Sequence, residues 1–310
     1  MRLNWFKNWR VGRLARAYVV SARPRTLPLS VAGVLLGSLL AAGEGHFDGT
    51  VCAWAVVTTL ALQVLANLAN EVGDLKKGTD NEHRLGPVRG LQGGMLSLRE
   101  ITGAMWVAGS VAVVAGVLLV REAFGEWLDP RSGLLLLAGG GSIVAAVKYT
   151  VGRGAYGYRG LGDLFVMIFF GWVSVLGSYF AMSGAIRVLY LLPATAVGAF
   201  SVMVLNLNNM RDVANDAACG KRTLPVMWGI RRAKIYHLAL ASAGVASLLL
   251  LNLLSPAGPR DYLFLIALPL LLYHLREVFR REGRALDGQL RLLSLTTLLV
   301  ALLAGLRGLS

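Results

Sequence analysis

Apolar stretches recur along the whole chain, separated by short polar segments. Each approaches the roughly 17–25 residues that a helix needs to cross about 30 Å of hydrocarbon. The pattern predicts nine spans, near residues 28–43, 50–70, 102–120, 133–150, 161–182, 188–209, 235–254, 261–276 and 290–307. Repetition on this scale excludes a single membrane anchor. Several spans are rich in Gly and Ala, which let helices approach closely where lipid offers no hydrophobic drive for association. The first and eighth spans are the short ones.

Composition agrees with a membrane as the solvent. Of 310 residues, 55% are hydrophobic and 15% charged, and the mean hydropathy is +0.60, far more apolar than an average soluble domain. The formal net charge of +14 could suggest a nucleic-acid partner, but the bases form neither one patch nor a soluble arm. Their placement reads as topology instead. With nine spans and a cytoplasmic N-terminus, all but five of the 31 Lys and Arg residues (Arg121, Arg131, Arg187, Arg260 and Arg307) fall inside, as the positive-inside rule requires. An even span count spoils this asymmetry.

Residues 1–26 form a basic N-terminal segment, too basic and with too poorly defined an apolar run for a cleavable signal peptide. Trp5, Phe6, Trp9, Leu14 and Tyr18 among its bases suggest an amphipathic helix on the cytoplasmic leaflet. Residues 27–310 then make a single transmembrane domain. Cys52 and Cys219 are isolated and fall on opposite faces, so neither a disulfide nor a metal motif is expected.

Where the acids lie changes the picture, because an ionised carboxylate at membrane depth is costly. The second span runs into NEVGDLKKGTDNE, which places Asn70, Asp74 and Asp80 at its cytoplasmic end. The sixth runs into NNMRDVANDAACGKRTLP, which places Asn208, Asp212 and Asp216 at the equivalent end. Spacing by four puts Asn70 with Asp74, and Asn208 with Asp212 and Asp216, on one helical face each. Helix C-termini favour a cation there, and an oxygen-only ligand set specifies Mg²⁺. The Asn-x-x-x-Asp pattern occurs twice, four spans apart, which suggests an internal repeat whose two acid groups face each other across a central cavity. Bases are interleaved: Lys76, Lys77, Arg84 and Arg89 after the second span, Lys148, Arg153 and Arg159 between the fourth and fifth, and Arg211, Lys221 and Arg222 after the sixth. Acid holding Mg²⁺ and flanked by Arg and Lys is an arrangement that binds a diphosphate and stabilises it as a leaving group. Lys76, Lys77, Arg231 and Arg232 are expected to serve topology alone, and Glu71 and Glu82 to be solvated neighbours of the site.

At these residues the chain resembles the UbiA prenyltransferase superfamily, and within it the branch that prenylates 1,4-dihydroxy-2-naphthoate in menaquinone biosynthesis. The resemblance rests on RPRTLP (Arg23 to Pro28), NLANEVGDLKKGTDNEHRLGP (Asn67 to Pro87), YGYRGLGDLFV (Tyr156 to Val166) and NNMRDVANDAACGKRTLPV (Asn208 to Val226), and the last three spans contribute little to it. It implies an all-α bundle of nine transmembrane helices around a central cavity in the cell membrane, with the active site facing the cytoplasm. It implies Mg²⁺, two ions delivered with the diphosphate, held by Asn70, Asp74, Asp80, Asp212 and Asp216. Asp74, Asp212, Asp216, Tyr158 and Arg159 become the candidate catalytic residues. Asn70, Lys148, Arg153, Asn208, Arg89, Lys221 and Arg222 are candidates for binding the diphosphate, and Tyr156, Asp163 and Arg23 for the aromatic-acceptor region. The expected partners are the lipid bilayer, a polyprenyl diphosphate and dihydroxynaphthoate, which would be alkylated with loss of CO₂. Two departures from the family pattern stand out: Glu71 replaces a frequent Asp, and no proline precedes Tyr156. Another aromatic acceptor (4-hydroxybenzoate, homogentisate or a chlorin) remains open, as does a cation-coupled secondary transporter from a different class. Prenyl chain length and oligomeric state are not legible.

Overall fold

The computed structural model describes residues 12, 14–255 and 258–309, and all regular structure among them is helical. Nine helices among these residues are long and apolar enough to cross a membrane: α1 (Leu14–Gly43), α2 (Gly49–Lys76), α3 (Leu98–Phe124), α4 (Pro130–Lys148), α5 (Gly162–Ser183), α6 (Val188–Arg211), α7 (Ile230–Leu254), α8 (Pro259–Arg280) and α9 (Gly283–Gly305). Each overlaps one expected span, with most ends differing by one to several residues. Helix starts follow from local chemistry. The Asp48 carboxylate accepts from the N–H groups of Thr50 and Val51 at 2.7 and 3.0 Å, Ser97 and Glu100 form a capping box, and Asp129 accepts from the Arg131 N–H at 2.7 Å.

Two of the differences bear on the site. The first span is preceded by a helical stretch at residues 14–22, which contains Leu14 and Tyr18, while Trp5, Phe6 and Trp9 lie outside the described residues. The two parts of α1 are separated at Arg23, which precedes Pro24 and has a left-handed backbone (φ 52°, ψ 67°) that a non-glycine residue rarely adopts. Asn67 of α2 steadies the break: its amide donates to the Ala22 carbonyl at 2.9 Å and to the Thr26 hydroxyl at 3.2 Å. The second difference is at the end of α2, which continues past residue 70 to Lys76, so that Asn70 and Asp74 stand on one continuous helix.

The bundle is asymmetric. Its main apolar core draws on α1 and α5 to α9, with Phe200, Met203 and Leu207 of α6 fully buried at the centre. A second, small cluster (Leu68, Val72, Leu91 and Ile101) joins α2 to α3. The cavity described below lies between this flank, completed by α4, and the main core. At the end of the bundle away from the two motifs, polar clasps tie the helices. Glu44 accepts from the Tyr179 and Tyr190 hydroxyls at 2.5 and 2.7 Å and pairs with Arg187. Arg307 pairs with Asn252 and reaches Ser255 at 2.6 Å. Arg131 pairs with Asp129 at 2.6 Å, and Arg260 donates to the Leu309 carbonyl at 2.6 Å. Four of the five bases expected outside therefore have local partners.

Close approach of α5 to α6 depends on small residues. Residues Met167–Val173 of α5 form a wide π-helical stretch, and a Cβ on Gly171 would lie 2.7 Å from both the Ala194 carbonyl oxygen and the Gly198 Cα. Backbone atoms cannot swing aside as a flexible side chain can. Gly171→Val is expected to cost about 1–3 kcal/mol through forced separation of the two helices, read as a lowered midpoint in denaturant unfolding in detergent. An unchanged midpoint would show that the contact is dispensable.

Candidate active site

Both acidic motifs open onto one cavity of about 510 Å³. Asn70 and Asp74 reach it from the last turns of α2, and Asn208 from the last turn of α6. Backbone bonds from Asp212 N–H to Asn208 O (3.2 Å) and from Asp216 N–H to Asp212 O (2.9 Å) carry the helical path past Arg211 into the short helix Val213–Ala218. Asp212 and Asp216 therefore continue the face begun by Asn208, and both line the same cavity. The two motifs meet physically through Arg84, whose Nε lies 3.3 Å from Asp80 and 3.8 Å from Asp212. Asn215 adds a second link, its amide donating to the Thr79 carbonyl at 2.8 Å.

A buried lattice of opposite charges fills this end of the bundle. Arg89 Nη1 donates to Asp80 at 2.6 Å and to Asp74 at 3.0 Å. Arg211 binds Asp212 through Nε (3.1 Å) and Nη2 (2.6 Å). Lys221 stands 3.6 Å from Asp216. Burial opposes the charge on Arg89, but Asp80 and Asp74 outweigh it and raise its pKa above the ordinary value. Arg84 is brought down to about 10, by burial first and by Arg89 second. Burial opposes ionisation of Asp212 too, yet the hydrogen bonds and charge of Arg211 leave its pKa below the usual carboxylate range. Burial pushes Asp216 up to about 6 against the opposing charge of Lys221, with the nearby Asp212 and Asp74 carboxylates adding to the rise.

Tyr158 stands behind Asp74. Its hydroxyl donates to Asp74 Oδ1 at 2.9 Å and lies 2.6 Å from the Thr79 hydroxyl, while Lys77 sits 3.9 Å from its ring centroid. The loop carrying it is pressed against α2: the Thr150 hydroxyl donates to Ala69 O (3.1 Å) and Asn70 Oδ1 (3.3 Å), and a Cβ on Gly73 would come within 2.5 Å of Thr150 Cβ. Glycine between the two motif residues permits that contact.

Of the expected residues, Arg23, Asn70, Asp74, Arg89, Tyr156, Asn208, Asp212, Asp216 and Lys221 line the cavity. Asp80 does not, since its side chain is fully buried against Arg84 and Arg89. Lys148, Arg153, Arg159 and Arg222 are exposed and also lie off the cavity wall, and Asp163 is buried in a hydrogen bond with Tyr236. Glu71 overturns its expected solvation: it is 0% exposed, and its carboxylate accepts the Leu91 N–H at 2.5 Å, anchoring the loop that carries Arg89. Lys77 is likewise engaged with Tyr158 rather than left to solvent. Arg84, Tyr149 and Thr79 line the cavity without having been assigned to it. Arg84 had a signal in its place beside the first motif, whereas nothing in the spacing marks Tyr149 or Thr79.

Away from the charges the cavity wall is apolar, with Leu62 of α2, Leu119 of α3, Leu135 of α4 and Phe169 of α5 among its lining. Tyr156 stacks on Phe165 at 3.9 Å between ring centroids, and Phe165 on Phe169 at 6.2 Å. The arrangement can hold an amphiphile with an anionic head among cations and a long apolar tail.

Residues 30–304 match the UbiA prenyltransferase family. The chain belongs to that family. Within it, this UbiA-family prenyltransferase is 43% identical to the 1,4-dihydroxy-2-naphthoate octaprenyltransferase of Escherichia coli (strain K12), over 86% of its own length and 85% of the relative's. It is 38% identical to the enzyme of the same name from Haemophilus influenzae (strain ATCC 51907 / DSM 11121 / KW20 / Rd), over 92% and 93% of the two chains. Its fold is similar to the apo structure of a UbiA homolog from Aeropyrum pernix K1 (TM-score 0.68, 18% identity, 88% and 94% of the chains). A UbiA homolog from Archaeoglobus fulgidus bound to DMAPP and Mg²⁺ shares it too (TM-score 0.57, 14% identity, 92% and 99%).

Arg89 tests the charge lattice. Arg89→Ala leaves the Asp80 carboxylate, whose side chain is 0% exposed, without its shortest ion pair. The expected cost is about 3–5 kcal/mol in detergent unfolding. Combining it with Asp80→Asn should recover part of the loss, and strict additivity of the two changes would show that the pair is not coupled.

Proposed function

We propose that this enzyme transfers a polyprenyl group from its diphosphate to 1,4-dihydroxy-2-naphthoate at the cytoplasmic end of the bundle, in a Mg²⁺-dependent reaction that releases diphosphate and CO₂. The observation that carries this reading is the convergence of two Asn-x-x-x-Asp helix ends on one cavity whose remaining wall is apolar. Family membership supports the reaction class, and the acceptor named for the relatives supports the substrate. The inward excess of Lys and Arg supports the cytoplasmic orientation.

The residues present fit Mg²⁺. Asn70 and Asp74 on one side, and Asn208, Asp212 and Asp216 on the other, offer only hard oxygen donors to the cavity. These are the residues that would hold it, one ion to each group. Bound there, Mg²⁺ would neutralise diphosphate charge and make diphosphate a better leaving group.

The chain's own groups do the rest. Arg84, Arg89 and Lys221 present buried cations to the diphosphate. The apolar wall takes the prenyl tail and excludes water, which would otherwise capture an allylic cation. When the allylic C–O bond breaks, its electron pair leaves with the diphosphate, and the stacked faces of Tyr156, Phe165 and Phe169 can attract the positive charge left behind. The electron-rich ring then forms the new C–C bond, and departure of its carboxylate as CO₂ leaves that bonding pair with the ring. Arg23 lines the cavity with Nη2 free of any hydrogen bond, and is placed to receive the acceptor's carboxylate.

Asp74→Ala and Asp212→Ala should each lower prenyl transfer by at least about a hundredfold in a folded, membrane-inserted protein. The assay supplies purified enzyme, Mg²⁺, a polyprenyl diphosphate and dihydroxynaphthoate, and detects the prenylated, decarboxylated product by mass. Full turnover in either variant would refute the assignment, and transfer to 4-hydroxybenzoate in place of dihydroxynaphthoate would refute the acceptor.

A further inference from the structure

The ninth span has no residue on the cavity wall, yet it reaches the site through Asp287, the first residue of its helical run Asp287–Gly305. Asp287 Oδ1 accepts from Arg211 Nη1 at 2.7 Å, and both of its oxygens accept from Arg25 Nη1 at 3.1 Å. Arg211 has a completely buried side chain. Besides Asp287 it binds Asn208 Oδ1 through Nη2 at 2.7 Å and both oxygens of Asp212. One guanidinium is thereby fixed by three side chains, two from the second acidic motif and one from a helix that contributes nothing else to the site.

We propose that Asp287 is a positioning residue of the second acidic motif, acting through Arg211 to set the orientation and free charge of the Asp212 and Asn208 oxygens that face the diphosphate. This rests on the diphosphate–Mg²⁺ reading of the cavity.

The physical case is one of shared charge. A buried guanidinium must be neutralised. With Asp287 absent, Asp212 is the sole carboxylate left to Arg211, and the bidentate pair the two already form draws the whole cationic charge onto Asp212, at the expense of what it presents to the cavity. With Asp287 in place, Nη1 is turned away toward α9 and the positive charge is divided between two carboxylates. Arg25, at the break in α1, pairs with Asp287 in turn and orients it. A chain of contacts thus joins the first, ninth and sixth spans to the acid that the reaction needs, and it is set by ligand orientation, the role that partners of metal-binding groups commonly play.

The test is binding as well as turnover. Purified protein in detergent is titrated with Mn²⁺ in the presence of inorganic diphosphate, with free Mn²⁺ followed by electron paramagnetic resonance, and KM and kcat are measured in parallel. Asp287→Asn should weaken Mn²⁺ binding by about 10–100-fold and depress turnover in a way that added metal partly restores. Asp287→Glu, which keeps the carboxylate, should recover most of the binding. Arg211→Lys keeps the charge but cannot span three partners, so it should weaken binding as Asp287→Asn does and serves if that variant fails to fold. Wild-type binding by a folded Asp287→Asn or Arg211→Lys protein, or a Glu variant as defective as the Asn variant, overturns the proposal. Lack of Mn²⁺ and diphosphate binding by the wild type overturns the underlying reading of the cavity and the proposal with it.

Discussion

A carboxylate buried in an apolar bundle needs a neutralising partner, and Asp74, Asp80 and Asp212, buried at one end of this one, each have a guanidinium against them. Much of the local architecture follows from that requirement. The loop after α2 has to fold back so that Arg84 and Arg89 reach the acids, and Glu71 secures it by accepting the Leu91 N–H. The ends of α2 and α6 have to lie side by side so that Arg84 can serve both motifs. Arg211 has to be buried with Asp212, and this in turn demands Asp287 from the far end of the sequence. Charge neutralisation in a poor solvent here ties segments separated by more than half the chain, where apolar packing between lipid-exposed helices offers little specificity.

Nine spans and two acidic helix ends were legible in the sequence because hydrocarbon leaves the backbone almost no choice and tolerates few charges. Their meeting on one cavity followed from the doubled Asn-x-x-x-Asp pattern. The identity of the working bases was not legible. Arg89 and Lys221 line the cavity whereas Lys148, Arg153 and Arg222, equally close in sequence to a motif or a helix end, are exposed. Loop bases satisfy the topology rule whichever way they point, so composition cannot separate the two groups. Asp80 lies off the cavity wall and Glu71 is buried rather than solvated for a related reason. Each carries the charge expected of its neighbourhood, but its partner is supplied by a loop fold that no helical or strand period encodes.

Division of the bundle into a dense core and a thinner flank accounts for where the substrate can sit. Helix α6, surrounded by α1, α5, α7 and α9, fixes one wall in place, and the Glu44 and Arg307 clasps brace the opposite end of the same helices. Helices α2, α3 and α4 share far less buried apolar surface with that core. An empty volume is sustainable between two such bodies because the polar lattice at one end, rather than side-chain interdigitation along the length, holds them together.

Reactivity and solvent exclusion then place opposite demands on the same cavity. Ionising an allylic diphosphate requires concentrated positive charge at the leaving group, which is achieved most readily among buried carboxylates and bases, whereas the hydrocarbon cation it generates survives only in a dry apolar space. Locating the charges at the helix ends and the apolar wall along the helix lengths separates the two demands along one axis. The π-helical stretch of α5 lies near their junction, widening the helix where Phe169, Phe170 and Val173 face the cavity while Gly171 lets its other side press on α6. At about a hundred degrees per residue these three side chains fall within one face of the helix and Gly171 on the other, so cavity and core contacts divide cleanly between its two sides. A single helix thereby serves a packed core on one side and an open cavity on the other.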